Sequence, residues 1–252
     1  MELLGISSSM RRRWSVIWWR EAIWQADQME VSSFDFARDG AWLYSGAAAD
    51  VLTELRELFY DQPQHVAGIR LHGIDGLRPH LAPEGPVGAI AASLIGSRSR
   101  PVRAILFDKT AETNWSLGWH QDRTISVRER VDVDGYGPWT IKGGMQHVAP
   151  PFDLLSRMVT LRVHMDDVPE NNAPLLIVPG SHKLGRIAES EIESVASRLG
   201  ERPCLAAAGD IWAYATPIIH GSKAAAVPAR RRVLQVDYSR DDLPAGLDWL
   251  GV

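Results

Sequence analysis

Beyond residue 100 the chain breaks into short runs of β-branched and aromatic residues. These runs, at 102–107, 158–165, 175–178, 210–216 and 232–238, are fenced by Pro, Gly, Asn and Asp. Ahead of them the texture is different. Residues 34–46 read as a strand-and-turn lead-in. Residues 47–60 carry Val51, Leu52, Leu55, Leu58 and Phe59 at helical spacing, with Glu54, Arg56 and Glu57 on the other face. Residues 62–85 read as loop with a short strand at Ile69–Leu71, and residues 86–98 as a second helix. A further short helix is expected at 189–199. Helices in front and strands behind leave no strand–helix alternation, so a doubly wound parallel sheet is disfavoured. The expected fold is mainly β with flanking helices: a double-stranded β-helix, the cupin-like jelly roll, with the N-terminal helices packed outside it.

The 252 residues, 45% of them hydrophobic, suffice for one domain with a substantial core and exclude a disordered chain. We expect residues 1–32 to be an N-terminal extension, with a natural start at Met29 as the alternative reading, and residues 33–252 to be a single domain. Its jelly-roll core covers about 102–240, with a lid-like insert at 123–157. The formal net charge of −4 and the absence of a basic face argue against nucleic acid as a partner. Residues 14–24, interrupted by Arg20 and Glu21, are too short for a membrane span. A lone cysteine, Cys204, excludes cysteine-rich metal sites and an internal disulfide, and a cytoplasmic setting is expected.

Three features carry chemistry. Trp119-His120-Gln121-Asp122 would place an imidazole and a carboxylate on one face of a strand. His220 follows 100 residues later, in Ile219-His220-Gly221-Ser222. Two His and one carboxylate can cap one face of a metal, as in the non-haem Fe(II) facial triad. On its own a His-x-Asp pair is weak evidence and fits a structural role better. The third feature is Arg231, eleven residues after His220, whose guanidinium fork could hold a carboxylate inside the barrel with help from the Ser222 hydroxyl. In isolation, Arg230-Arg231-Arg232 reads as a solvated basic edge.

Taken together, these stretches resemble the phytanoyl-CoA dioxygenase family of Fe(II)/2-oxoglutarate-dependent oxygenases. The resemblance is carried by Phe107-Asp108-Lys109, His120-Gln121-Asp122, the run from Asn171 to His182 ending in Pro179-Gly180-Ser181-His182, Gly209-Asp210, and His220-Gly221-Ser222 with Arg231. It spans roughly residues 102–240. It implies a dioxygenase in which His120, Asp122 and His220 hold Fe(II), while Arg231, assisted by Ser222, holds the distal carboxylate of the co-substrate 2-oxoglutarate, with O2 as the oxidant. It also makes Lys109 a co-substrate contact. Halogenating relatives carry a small residue in place of the acidic ligand, so the presence of Asp122 implies hydroxylation or a related oxidation.

Arg162 alternates with apolar neighbours in Thr160-Leu161-Arg162-Val163-His164. An open sheet would turn it to solvent, whereas the resembling fold turns it into the barrel beside the co-substrate. The insert at 123–157 follows the His-x-Asp motif directly, and its Trp139, Gln146 and His147 join Gln121 and His164 as candidate substrate contacts. These polar groups point to a small polar, carboxylate-bearing substrate such as an amino acid derivative or a natural-product intermediate, with succinate and CO2 as co-products. Two other readings stay open on the residues. One is a cupin-type metal-dependent enzyme without 2-oxoglutarate, and the other is a non-catalytic jelly-roll binding protein.

Overall fold

The structure, a computed structural model, describes residues 34–252 except 64, 65, 67 and 245; the expected extension over residues 1–32 lies outside them. Among the described residues the strands are, in chain order, β1 (Ala41–Tyr44), β2 (Ile69–Leu71), β3 (Arg100–Lys109), β4 (Leu117–His120), β5 (Ile125–Val127), β6 (Trp139–Lys142), β7 (Met145–Val148), β8 (Val159–His164), β9 (Leu175–Ile177), β10 (Arg202–Cys204), β11 (Ile211–Ala215), β12 (His220–Ser222) and β13 (Arg231–Ser239). A long sheet runs in the order β1-β11-β8-β13-β3-β2, a second in the order β10-β9-β12-β4, and a third in the order β5-β7-β6. Their ladders are antiparallel, and the jelly-roll class expected from the sequence is the one observed. No helix of the described residues is long and apolar enough to cross a membrane.

The long sheet is buried on both faces, and its alternation separates two environments. Ala104, Leu106, Leu161, Val163, Ile211, Ala213, Leu234 and Val236 face outward. They form one apolar cluster with Leu55 of the helix Leu52–Leu58, with Leu77 and Leu81, and with Ile90 and Ala91 of the helix Gly88–Ile95. The front helices therefore pack outside the sheet, as expected. Each Leu, Ile or Val among them, taken fully out of water, contributes about 1.5–3 kcal/mol. The opposite face is polar. Register places Lys109 opposite Arg231, Ile105 opposite Gln235, Gln235 opposite Arg162, and Arg103 opposite Asp237. This inner face looks toward the second sheet, which carries His120 and His220.

Residues 123–157 are not a loose loop. They fold as the β5-β7-β6 sheet and the helix Phe152–Ser156. Ile125, Val127, Val148, Leu154 and Leu155 close a core there with Val102, Leu247 and Trp249. The β6–β7 hairpin turns through Gly143 and Gly144 at φ +57° and +78°. Two consecutive positive φ values make this a position where L side chains are strained and glycine is not.

Candidate active site

β12 pairs with β4 so that His220 lies opposite His120, with ring centroids 4.2 Å apart. The strands approach closely at Gly221, where a Cβ would meet Leu117 O at 3.0 Å and the Trp119 ring at 3.3 Å. β4 ends at His120, so the expectation that His120 and Asp122 share a strand face needs correction: Asp122 lies in irregular backbone beyond it. The Gln121 side chain fixes that segment. Its amide nitrogen donates to Gly185 O at 3.1 Å and Pro217 O at 2.8 Å, and its oxygen accepts from Ile187 N at 3.0 Å. Gln121 thus anchors the chain instead of lining the cavity, a second correction. Asp122 is thereby brought back to the histidines, and one donor atom from each of His120, Asp122 and His220 lies within 4.8 Å of the others.

The two imidazoles are oriented by local backbone. His120 Nδ1 lies 2.8 Å from Gly118 O, and His220 Nδ1 lies 2.9 Å from Ile218 O. With Nδ1–H donating to these carbonyls, each ring presents Nε2 to a metal. Burial lowers the His220 pKa to about 4, so its lone pair is available at neutral pH. Burial works against the Asp122 carboxylate, but Arg103 and the two neighbouring imidazoles outweigh it and hold that pKa at about 2. Arg103 Nη2 sits 3.1 Å from Asp122 Oδ2 as an ion pair, yet that oxygen is buried and makes no hydrogen bond among the described residues. An ionised carboxylate beside two imidazole nitrogens fits a divalent iron and leaves coordination positions open.

These donors open onto a cavity of about 460 Å³ that is also lined by Lys109, Arg162, Ser222 and Arg231. The register of β13 separates the three consecutive arginines. Arg230 pairs with Asp108 at 2.8 Å and Arg232 with Asp166 at 2.7 Å, while Arg231 turns inward and donates to Ala173 O. Ser222 lies two residues along β12 from His220. Arg162 is inside the barrel: it donates to Gln235 Oε1 at 2.7 Å and lies 5.2 Å from the centre of the Phe107 ring. Lys109 donates to Trp115 O at 2.9 Å. Burial and the charges of Arg231 and Arg162 lower its pKa to about 8. Burial, with Arg162, lowers that of Arg231 to about 10.

The remaining expected contacts fall elsewhere. His164 is buried, with neither ring nitrogen hydrogen-bonded among the described residues; burial and the nearby Arg162 and Arg231 keep its pKa well below the usual histidine range. It does not line the cavity, and neither do Trp139, Gln146 or His147. Trp139 packs on the core of the insert. Gln146 takes part in the β5–β7–β6 ladders. His147 is spent on Ser126 Oγ at 2.9 Å and Met145 O at 3.0 Å. The insert reaches the cavity through Lys142 instead. Arg70, Arg103, Lys142 and Gln235 line the same cavity and were not singled out by the motifs. For Arg103 the signal was present, since it shares the period-two phase of Lys109 along β3.

No curated protein matches the chain. Solved structures of similar fold do. EctD from S. alaskensis with bound Fe is 18% identical, with TM-score 0.59, over 84% of this chain and 75% of its own. HygX from Streptomyces hygroscopicus with nickel and 2-oxoglutarate bound is 15% identical, with TM-score 0.53, over 81% and 84%. The epimerase SnoN in complex with Fe3+, alpha ketoglutarate and nogalamycin RO is 18% identical, with TM-score 0.53, over 84% and 88%. The phytanoyl-CoA dioxygenase (PhyH) family profile matches residues 80–233, from the helix Arg78–Leu81 through the metal-donor motifs to Arg231 and beyond. A match over more than half the chain decides its membership: the chain belongs to the phytanoyl-CoA dioxygenase family and is an Fe(II)/2-oxoglutarate-dependent dioxygenase.

Proposed function

We propose that this chain oxidises, most simply by hydroxylation, a small polar, carboxylate-bearing molecule such as an amino acid derivative or a natural-product intermediate, releasing succinate and CO2, and that it does so in the cytoplasm. His120, Asp122 and His220 hold the iron on one face. When bound, the iron supplies dioxygen activation, which couples decarboxylation of 2-oxoglutarate to attack on a substrate C–H bond. Asp122 contributes the anionic ligand, and Arg103 keeps that carboxylate ionised. Arg231 takes the distal carboxylate of 2-oxoglutarate with the Ser222 hydroxyl beside it, and Lys109 and Arg162 complete the positive wall at that end.

The observation that carries this reading is Arg231. It is a buried guanidinium facing the cavity of the metal donors, it has no carboxylate partner among the described residues, and both its sequence neighbours are already paired. A buried cation in that position calls for an anion. For the substrate, the cavity wall offers Arg70, Arg103, Lys109, Lys142, Arg162 and Arg231 against the one carboxylate of Asp122. Its volume of about 460 Å³ also suits a small ligand better than an extended thioester. Anaerobic addition of Fe(II) and then 2-oxoglutarate should produce a weak visible metal-to-ligand charge-transfer band. A screen of small carboxylates read by succinate release then identifies the substrate. No band at saturating iron and 2-oxoglutarate would falsify the assignment.

A further inference from the structure

We infer that the cavity carries a second anion site, apart from the co-substrate end, in which Arg70 and Lys142 hold the carboxylate of the substrate. This rests on the function proposed above and names the group by which that substrate is held.

Two clusters of cations line the one cavity. Lys109, Arg162 and Arg231 form the first, and Arg70 on β2, Arg103 on β3 and Lys142 at the end of β6 form the second. Arg70 and Arg162 stand on one rung of the long sheet: Arg70 lies opposite Ile105, Ile105 opposite Gln235, and Gln235 opposite Arg162. Three inter-strand steps of about 4.8 Å put roughly 14 Å of sheet between them. The electrostatic neighbours of the two lysines divide the same way. Lys109 feels Arg231 and Arg162, whereas Lys142 feels Arg103 and Arg70.

Within the second cluster the charge of Arg103 is already answered. It pairs with Asp237 at 2.6 Å and with Asp122 at 3.1 Å. The other two are not answered. Arg70 Nε is buried without a hydrogen-bond partner among the described residues. Lys142 Nζ donates to the Thr124 hydroxyl, a neutral group, at 3.3 Å. The two residues share a wall, because the Arg70 stem rests on the β6–β7 turn, where a Cβ on Gly143 would lie 3.6 Å from Arg70 Cδ. Arg70 and Lys142 have no ion-pair partner of their own among the described residues and share only the field of Asp122, which Arg103 already pairs, so an anion joining them is favourable. A guanidinium fork beside an ammonium matches a carboxylate. Val66, Trp115 and Leu117 line the same cavity while remaining 38%, 43% and 47% exposed, with Trp115 against Lys109 and Leu117 opposite Ser222, so the rest of a molecule held by its carboxylate at Arg70 and Lys142 would meet apolar surface across the cavity. The substrate class is accordingly a carboxylic acid with an apolar portion.

The test uses the protein loaded anaerobically with Fe(II) and 2-oxoglutarate, probed with N-acetylleucine and its neutral twin N-acetylleucinamide. Binding is followed by tryptophan fluorescence, and 2-oxoglutarate by the charge-transfer band. The acid should bind in the millimolar range or tighter, at least roughly tenfold better than the amide. Arg70→Gln and Lys142→Gln, on separate elements, should each weaken acid binding by roughly tenfold to a hundredfold and erase the preference, leaving amide and 2-oxoglutarate binding unchanged. Equal binding of acid and amide, no binding of the acid, a preference that survives both variants, or a parallel loss of 2-oxoglutarate affinity would each overturn the inference. Absence of the band in the wild type would instead remove the proposed function, while the fluorescence comparison would still report on Arg70 and Lys142.

Discussion

Arg231 and Lys109 stand directly opposite each other in the β13–β3 register, two cations on neighbouring strands of a buried face. Like charges in that position oppose folding, and the charge of Arg231 lowers the ease with which Lys109 stays protonated. The arrangement becomes favourable when a dianion lies between them and Arg162. On the proposed assignment of this end of the cavity to 2-oxoglutarate, it is therefore built at the expense of stability in the empty protein.

Replacing Arg231 by Leu should leave iron binding intact and weaken 2-oxoglutarate binding. Removing one partner of a buried charged pair costs on the order of 3–5 kcal/mol, or about two to four decades in affinity. Titration of the charge-transfer band measures it. Arg230→Leu and Arg232→Leu, whose side chains pair with Asp108 and Asp166, should leave that titration near the wild-type curve. A larger effect in either would mean that the inward residue of β13 has been misassigned.

Lys109 gives the pH dependence. Its pKa in the folded protein is about 8, against an ordinary value of 10.5, because burial and two arginines penalise the charged form. Below about 8 folded and unfolded chains both carry the proton, so the penalty is present in full. Between about 8 and 10.5 the unfolded chain binds more protons, so this group makes the ligand-free protein more stable as pH rises. For 2-oxoglutarate the sign reverses. The bound dianion favours protonated Lys109, so binding above about pH 8 takes up a proton and weakens by a factor approaching ten per pH unit. Affinities measured at pH 7, 8 and 9 should show that fall in the wild type, and Lys109→Met should flatten it. An unchanged slope in the variant would assign the effect to another group.

The strands of the long sheet were legible because period-two alternation is strong where one face is oily and the other ionic; Thr160, Arg162 and His164 against Leu161 and Val163 show it clearly. β4 and β12 are shorter and were legible only through the metal-donor motifs they carry. The misplacement of Gln121 and of Asp122 has one cause. A motif fixes which residues meet but not the backbone that brings them together, and here irregular chain pinned by the Gln121 amide does so. In the insert, the aromatic and imidazole side chains were spent on its own core, and a lysine beside a Gly-Gly turn reached the cavity. The two-glycine hairpin was readable, but its approach to β2 depends on tertiary packing that no local pattern encodes. Arg70 was hidden for the same reason, on a three-residue strand in a stretch that otherwise reads as loop.

Arg162 lies on the side proposed for the co-substrate, hydrogen-bonded to Gln235 and within electrostatic reach of Arg231. Arg162→Met should therefore fold, retain iron and bind 2-oxoglutarate more weakly. Loss of one hydrogen bond to a charged group, about 1.5–3 kcal/mol, corresponds to roughly tenfold to a hundredfold. A rise in substrate KM with 2-oxoglutarate affinity unchanged would reassign Arg162 to the substrate.

Asp122 separates stability from function. It sits in a three-charge cluster with Arg103 and Asp237, where one guanidinium serves two carboxylates. Burial raises the Asp237 pKa, Arg103 opposes this, and the neighbouring Asp122 adds to the rise. Replacing Asp122 by Ala removes a buried carboxylate and its 3.1 Å ion pair with Arg103, and it leaves Arg103 paired with Asp237 at 2.6 Å. The metal-free variant should therefore unfold within a few degrees of the wild type, because the surviving pair gains what the lost one gave up. The metal behaves differently, since Asp122 is the one anionic donor among the three. Iron retained after desalting should fall sharply, and succinate production should cease even at saturating 2-oxoglutarate. Chloride at high concentration should restore part of the iron content by filling the vacated position. Thermal unfolding of the metal-free proteins, metal analysis and succinate release distinguish the outcomes. A variant that keeps wild-type turnover removes Asp122 from the metal site. One that loses activity only because it no longer folds shows that the Asp122–Arg103 pair carries stability that Asp237 cannot replace.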